Sequence, residues 1–241
     1  MKKILQILLL LALLAALANA TYYHAFEELG RKDEGDVIVR YEPDLTQGSN
    51  RKTLKWWPNG IVKYEISDSI SPEDQQIILS AMDAIMEVSK VKFTPKVATD
   101  RDYVAIINTD VGCWASLGYH GGRQELNLDP RGCMDKGAIL HQLMHTLGFI
   151  HPSNRADRNL YVDVDLSNVN AFNHGQFQPV DPTLYNDFGL TYDYESILHR
   201  GGKAFTNNGK DTIKPLHGDF ELGQRDKLSY KDVKMLNKMY P

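Results

Sequence analysis

The stretch His141-Gln142-Leu143-Met144-His145-Thr146-Leu147-Gly148-Phe149-Ile150-His151 constrains this chain more than any other. On a helix, His141 and His145 stand one turn apart and project from one face. Gly148 is the residue best able to end that helix in a left-handed turn, which swings His151 round toward the first two. Three imidazoles converging from one side suit Zn²⁺ with an open coordination position. A fold that carries them must hold a helix, a sharp exit and a facing wall.

A zinc site that hydrolyses peptides also needs a proton acceptor, normally a Glu directly after the first histidine. Here that residue is Gln142. The amide is nearly isosteric and can hydrogen-bond a zinc-bound water, but it takes no proton at ordinary pH. Losing a general base lowers rates typically about 10²–10⁴-fold.

The N-terminus reads as a removable signal. Lys2 and Lys3 precede an apolar run from Ile4 to Leu17, and Ala18-Asn19-Ala20 is a small-x-small cleavage site, so residues 1–20 are expected to be a signal peptide. The apolar run is too short for a comfortable membrane span. A secreted, extracellular product follows, and with it an oxidising context in which the only two cysteines, Cys113 and Cys133, are expected to bridge. The formal charge of −4 becomes more negative by two once Lys2 and Lys3 leave, which gives no support to nucleic-acid or anionic-membrane binding. The remainder is long enough for one sizeable domain or two lobes around a cleft.

Residues 21–52 are polar, mixed in charge and broken by Gly30, Gly35, Pro43 and Gly48, and read as an extended prosegment outside the core, with Arg51-Lys52 suited to a processing protease. Residues 53–241 form the domain. Trp56-Trp57-Pro58-Asn59-Gly60 is a turn with aromatic anchors, and Ile61–Ile66 alternates as a strand. Ser71-Pro72-Glu73-Asp74 starts a helix with a Ser cap, Pro at the first position and acids in the first turn. Ile77, Ile78, Ala81, Ile85 and Val88 continue it at helical spacing. Val91–Thr94, Tyr103–Ile107 and Gln124–Leu128 read as strands, and about Lys136 to Leu147 as the histidine helix. Beyond His151 the chain is rich in turn residues, with one late helix from Ser229 to about Met239. The fold class is α+β: an N-terminal twisted mixed sheet with two helices, a zinc cleft, and a loop-rich C-terminal lobe.

The residues resemble a known family. His141-x-x-x-His145-x-x-Gly148-x-x-His151 is similar to the metzincin zinc signature, and its surroundings resemble the astacin family of zinc endopeptidases. Gly112-Cys113-Trp114-x-x-x-Gly118, Gly132-Cys133-x-x-x-Gly137-x-Ile139-x-His141, Arg155-x-Asp157-Arg158 and Tyr192-Asp193-Tyr194-x-Ser196-Ile197-Leu198-His199 match it in order. The resemblance implies a zincin-like fold, Zn²⁺ held by His141, His145 and His151, and peptide or protein ligands. It also implies that Asp36 in Glu34-Gly35-Asp36-Val37 blocks the metal as a zymogen switch.

Four departures qualify that implication. Gln142 replaces the general base; Arg200 stands where the family has a Tyr that stabilises the oxyanion; Leu198 replaces the methionine beneath the metal; Pro152 replaces the Glu that pairs with the activated N-terminus. Leu for Met conserves volume and should cost under about 1.5 kcal/mol. The expected product is a secreted, monomeric, zinc-binding pseudoenzyme that binds peptides or a partner protein. Two alternatives stand beside it: a working metalloendopeptidase made as a zymogen, and a metal-free binding module in which the histidines are residual core groups.

Overall fold

The computed structural model describes residues 36–39, 42–43 and 52–241. The expected signal peptide and most of the expected prosegment lie outside the described residues. Among the described residues, no helix is long and apolar enough to cross a membrane.

A six-stranded mixed sheet organises the first half. Its strands are β1 (Val37–Ile38), β4 (Ile61–Ile66), β5 (Lys92–Pro95), β6 (Tyr103–Ile107), β7 (Cys113–Ser116) and β8 (Arg123–Leu128), in the spatial order β1-β7-β8-β6-β4-β5. All neighbours are parallel except β7 and β8, which form an antiparallel pair. Two strands of two residues, β2 (Glu42–Pro43) and β3 (Lys52–Thr53), pair separately.

Helix α1 (Pro72–Val88) starts where Ser71 accepts the Asp74 amide, and buries Ile78, Ala81, Met82 and Ile85. It packs against α2 (Lys136–Thr146), the histidine helix. One apolar cluster joins both helices to the sheet through Val62, Val104, Ile106, Leu126, Ile139 and Leu143. The second half is loop-rich: a two-stranded ribbon of β9 (Val162–Val164) and β10 (Ile213–Pro215), several short 3-10 turns, and a late helix α3 (Tyr230–Met239). Its own core gathers Val162, Val169, Phe177, Tyr192, Phe205 and Ile213. Cys113 and Cys133 form the disulfide, which ties β7 to the loop ahead of α2.

The stretch before residue 53 departs from expectation. Its polarity predicts a segment outside the core, yet Asp36 and Val37 are buried, and Val37 packs with Leu117 and Ile150. The reason is backbone pairing. The outer edge of β7 is a row of amides and carbonyls that needs partners, and β1 supplies them. Ala115 N donates to Asp36 O at 2.9 Å and Leu117 N to Ile38 O at 2.9 Å.

Candidate metal centre

Helix α2 is held so that its histidine face cannot rotate. Asp135 caps its N-terminus by accepting from the Gly137 and Ala138 amides. At the other end two of the orphan carbonyls are taken by aromatic side chains: Trp57 Nε1 donates to Thr146 O at 2.9 Å and Tyr240 Oη to Leu147 O at 2.7 Å. The chain then leaves through Gly148 at φ +103°, a left-handed exit suited to glycine. Gly137 permits a close approach on the other side. A Cβ there would sit 1.6 Å from Arg225 O.

This geometry brings together Asp36, His141, Gln142, His145, His151 and Arg200, all buried. One ligand atom from each of Asp36, His141, His145 and His151 lies within 4.8 Å of the others. Asp36 Oδ2 is 2.7 Å from His141 Nε2, 3.5 Å from His145 Nε2 and 3.3 Å from His151 Nε2. Gln142 Nε2 donates to the same oxygen at 3.4 Å. Leu198 is buried in the main apolar cluster, and Pro152 opens a short 3-10 turn directly after His151.

Proton placement follows from the partners, since a carbonyl only accepts. His141 Nδ1 donates to Ile197 O at 2.8 Å and His145 Nδ1 to Phe149 O at 2.7 Å. Both Nε2 lone pairs then point inward, 2.9 Å apart, beside the Asp36 carboxylate. Lone pairs and a carboxylate in a dry pocket repel unless a cation or proton sits among them. The donor set therefore fits a metal ion, and nitrogen with carboxylate oxygen is a set that Zn²⁺ accepts. Burial alone would raise the Asp36 pKa, but the charge of His151 and the hydrogen bonds of His141 and His145 outweigh it and hold the carboxyl well below its ordinary range. His145 is pushed down, by burial first and then by His151.

The wall facing α2 is set by residues the sequence reading did not single out. Asp232, in the capping box of α3, accepts Ser196 Oγ at 2.7 Å and Ile197 N at 2.8 Å. Arg225 Nη1 donates to Ile197 O at 2.8 Å and His199 O at 3.2 Å. Together they fix the carbonyl that orients His141. The pattern Ser229-x-x-Asp232 is legible as a helix start, but nothing local reveals that the same carboxylate reaches back across the fold.

The comparisons with known proteins agree with this architecture. The family model described as astacin (peptidase family M12A) matches residues 49–241. The chain belongs to the astacin family. It is 37% identical over 190 residues to zinc metalloproteinase nas-13 of Caenorhabditis elegans, an alignment covering 79% of this chain and 42% of that protein. With nas-4 of the same organism it shares 32% identity over 220 residues, covering 88% of this chain and 70% of that one. Among solved structures it is similar to high choriolytic enzyme 1, a hatching-enzyme zinc protease of medaka (Oryzias latipes). There the TM-score is 0.72 at 33% identity, covering 78% of this chain and 94% of that chain. The chain spans about two fifths of the length of nas-13 and nas-14. The astacin fold, the family's zinc dependence and its peptidase class apply here; the fate of each departed residue does not follow from them.

Proposed function

We propose that this chain is a secreted, zinc-binding astacin-family protein whose peptidase machinery is impaired, and that it binds peptides or a partner protein rather than cutting them efficiently. In this reading residues 1–20 are the signal peptide, 21–52 the prosegment and 53–241 the functional domain. His141, His145 and His151 would hold zinc, with Asp36 as the prosegment ligand that closes the site.

The observation that carries the proposal is Gln142. It lies in the buried centre, and its amide donates toward Asp36 while its Oε1 has no hydrogen-bond partner among the described residues. When bound, zinc would polarise a carbonyl and acidify a water. The proton from that water would still need an acceptor, and Gln142 offers none. Arg200 is a donor only, so on the oxyanion side it could stabilise charge but could not shuttle a proton. Binding survives both losses more readily than turnover does.

A second reading, a working endopeptidase made as a zymogen, is favoured by the position of Asp36 and by β1 occupying the edge of β7. The two are separated by presenting the zinc-loaded chain, with and without residues 21–52, to a broad fluorogenic peptide library. Chelator-sensitive cleavage that is lost in His145→Ala supports the enzyme; binding without cleavage supports the impaired protein.

A further inference from the structure

The third histidine is wired differently from the first two. His141 and His145 each give their Nδ1 proton to a backbone carbonyl, whereas His151 Nδ1 lies 3.2 Å from Arg200 Nη2. A guanidinium nitrogen donates and never accepts. His151 Nδ1 must therefore be the acceptor, and the ring proton sits on Nε2. That assignment is self-consistent, because Nε2 faces the Asp36 carboxylate, 3.2 Å from Oδ1 and 3.3 Å from Oδ2. Arg200 is itself held in place, buried, with its guanidinium carbon 5.2 Å over the Phe205 ring.

A protonated Nε2 has no in-plane lone pair to offer a metal. We infer that Arg200 is a positioning residue that fixes His151 in the Nε2–H tautomer, so that His151 serves Asp36 as a hydrogen-bond donor and leaves the metal-ligand set while the arginine is in place. The proton moves between two nitrogens of one ring with no change of charge. For His151 to ligate through Nε2, that proton must pass to Nδ1, where it would meet the guanidinium donor head-on. Arg200 must then withdraw. Metal and arginine thus compete for His151, and this chain would hold zinc more weakly and exchange it faster than a site without the arginine. The inference rests on the zinc-binding reading above only for its affinity consequence.

The test uses the full chain, metal-free and zinc-loaded. Nitrogen-15 NMR of the metal-free protein, with His151 assigned by comparison with His151→Ala, is expected to show His151 as Nε2–H and His141 and His145 as Nδ1–H. In Arg200→Leu and Arg200→Tyr the His151 signature should shift toward Nδ1–H. Zinc affinity, measured by competition with a chromophoric chelator, should tighten roughly ten- to hundredfold, the scale of one hydrogen bond to a charged donor. His151→Ala should weaken zinc binding far more in the Arg200→Leu background than in the wild type. An Nδ1–H His151 in the metal-free wild type overturns the inference even if neither variant folds. So does equal zinc affinity in wild type and variants; stoichiometric zinc in all of them would leave the zinc reading intact. Zinc binding absent from wild type and restored by Arg200→Leu would remove that reading for the native chain and support the inference.

Discussion

Gln142→Glu restores the side chain that hydrolysis needs, but in this structure it also strikes the Asp36 contact. The amide nitrogen is 3.4 Å from Asp36 Oδ2, and neither residue is exposed to solvent. Replacing that donor by a carboxylate oxygen places two negative charges at that distance. At an effective dielectric of about 20 their repulsion is about 5 kcal/mol. Proton uptake by one of the pair caps the loss, since holding a carboxyl neutral near pH 7 costs about 1.36 kcal/mol per unit over about three units, or roughly 4 kcal/mol. A bound divalent cation would offset the repulsion. We therefore expect docking of β1 to be zinc-independent in the wild type and zinc-dependent in Gln142→Glu. Amide hydrogen exchange at Ala115 and Leu117, whose acceptors are Asp36 O and Ile38 O, reports docking directly. In chelator these amides should exchange about a thousandfold faster in the variant, and zinc should restore most of the protection. Equal protection of both proteins in chelator would refute the electrostatic argument.

Other expectations follow from buried groups away from the ligand atoms. Burial, with Arg225, His151 and Arg200 nearby, pushes His199 down to about 4, so below its ordinary range the unfolded chain binds the extra proton and stability falls with acid. That loss amounts to roughly 3 kcal/mol between about pH 6.5 and 4, and denaturant melts of His199→Gln should lack it. Asp232 has the opposite sign: burial pushes it up to about 6, so its contribution is fullest in acid and is lost as pH rises through that value. Asp232→Asn should accordingly steepen the acid loss. Removing the Cys113–Cys133 bridge, which spans a separation of 20 residues, should cost about 3 kcal/mol in the chain-entropy model, read as a drop in Tm of several degrees in a Cys113→Ala/Cys133→Ala variant. Leu198→Met should change stability by less than about 1.5 kcal/mol; a larger change in the melt would mean that the position is shaped specifically for leucine.

Much of the fold is written locally. Tyr103–Ile107 is an apolar β-branched run and folds as β6, and Ser71-Pro72-Glu73-Asp74 opens α1 because each residue satisfies a different requirement of a helix start. The histidine spacing foretells one face of α2, and Gly148 foretells its exit. Two things resist a local reading. Cys113–Ser116 forms a strand, β7, although Cys113-Trp114 reads only as a motif; its strand character comes from pairing with β8 on one side and β1 on the other. Residues 36–39 look like solvated tail, and only the open edge of β7 makes them part of the sheet. The convergence of Asp36 on the histidines was anticipated from family resemblance rather than from any property of residues 21–52. The His151–Arg200 contact needed coordinates, because a loop of almost fifty residues separates the partners.

The most direct measurement of the central claim is turnover by the zinc-loaded domain freed of residues 21–52, set against its own Gln142→Glu variant on one fluorogenic peptide library. The account predicts stoichiometric zinc in both proteins and a rate about 10²–10⁴-fold higher in the variant, with wild-type cleavage near the chelated blank. Wild-type cleavage that matches the variant, vanishes with chelator and is lost in His145→Ala would contradict it.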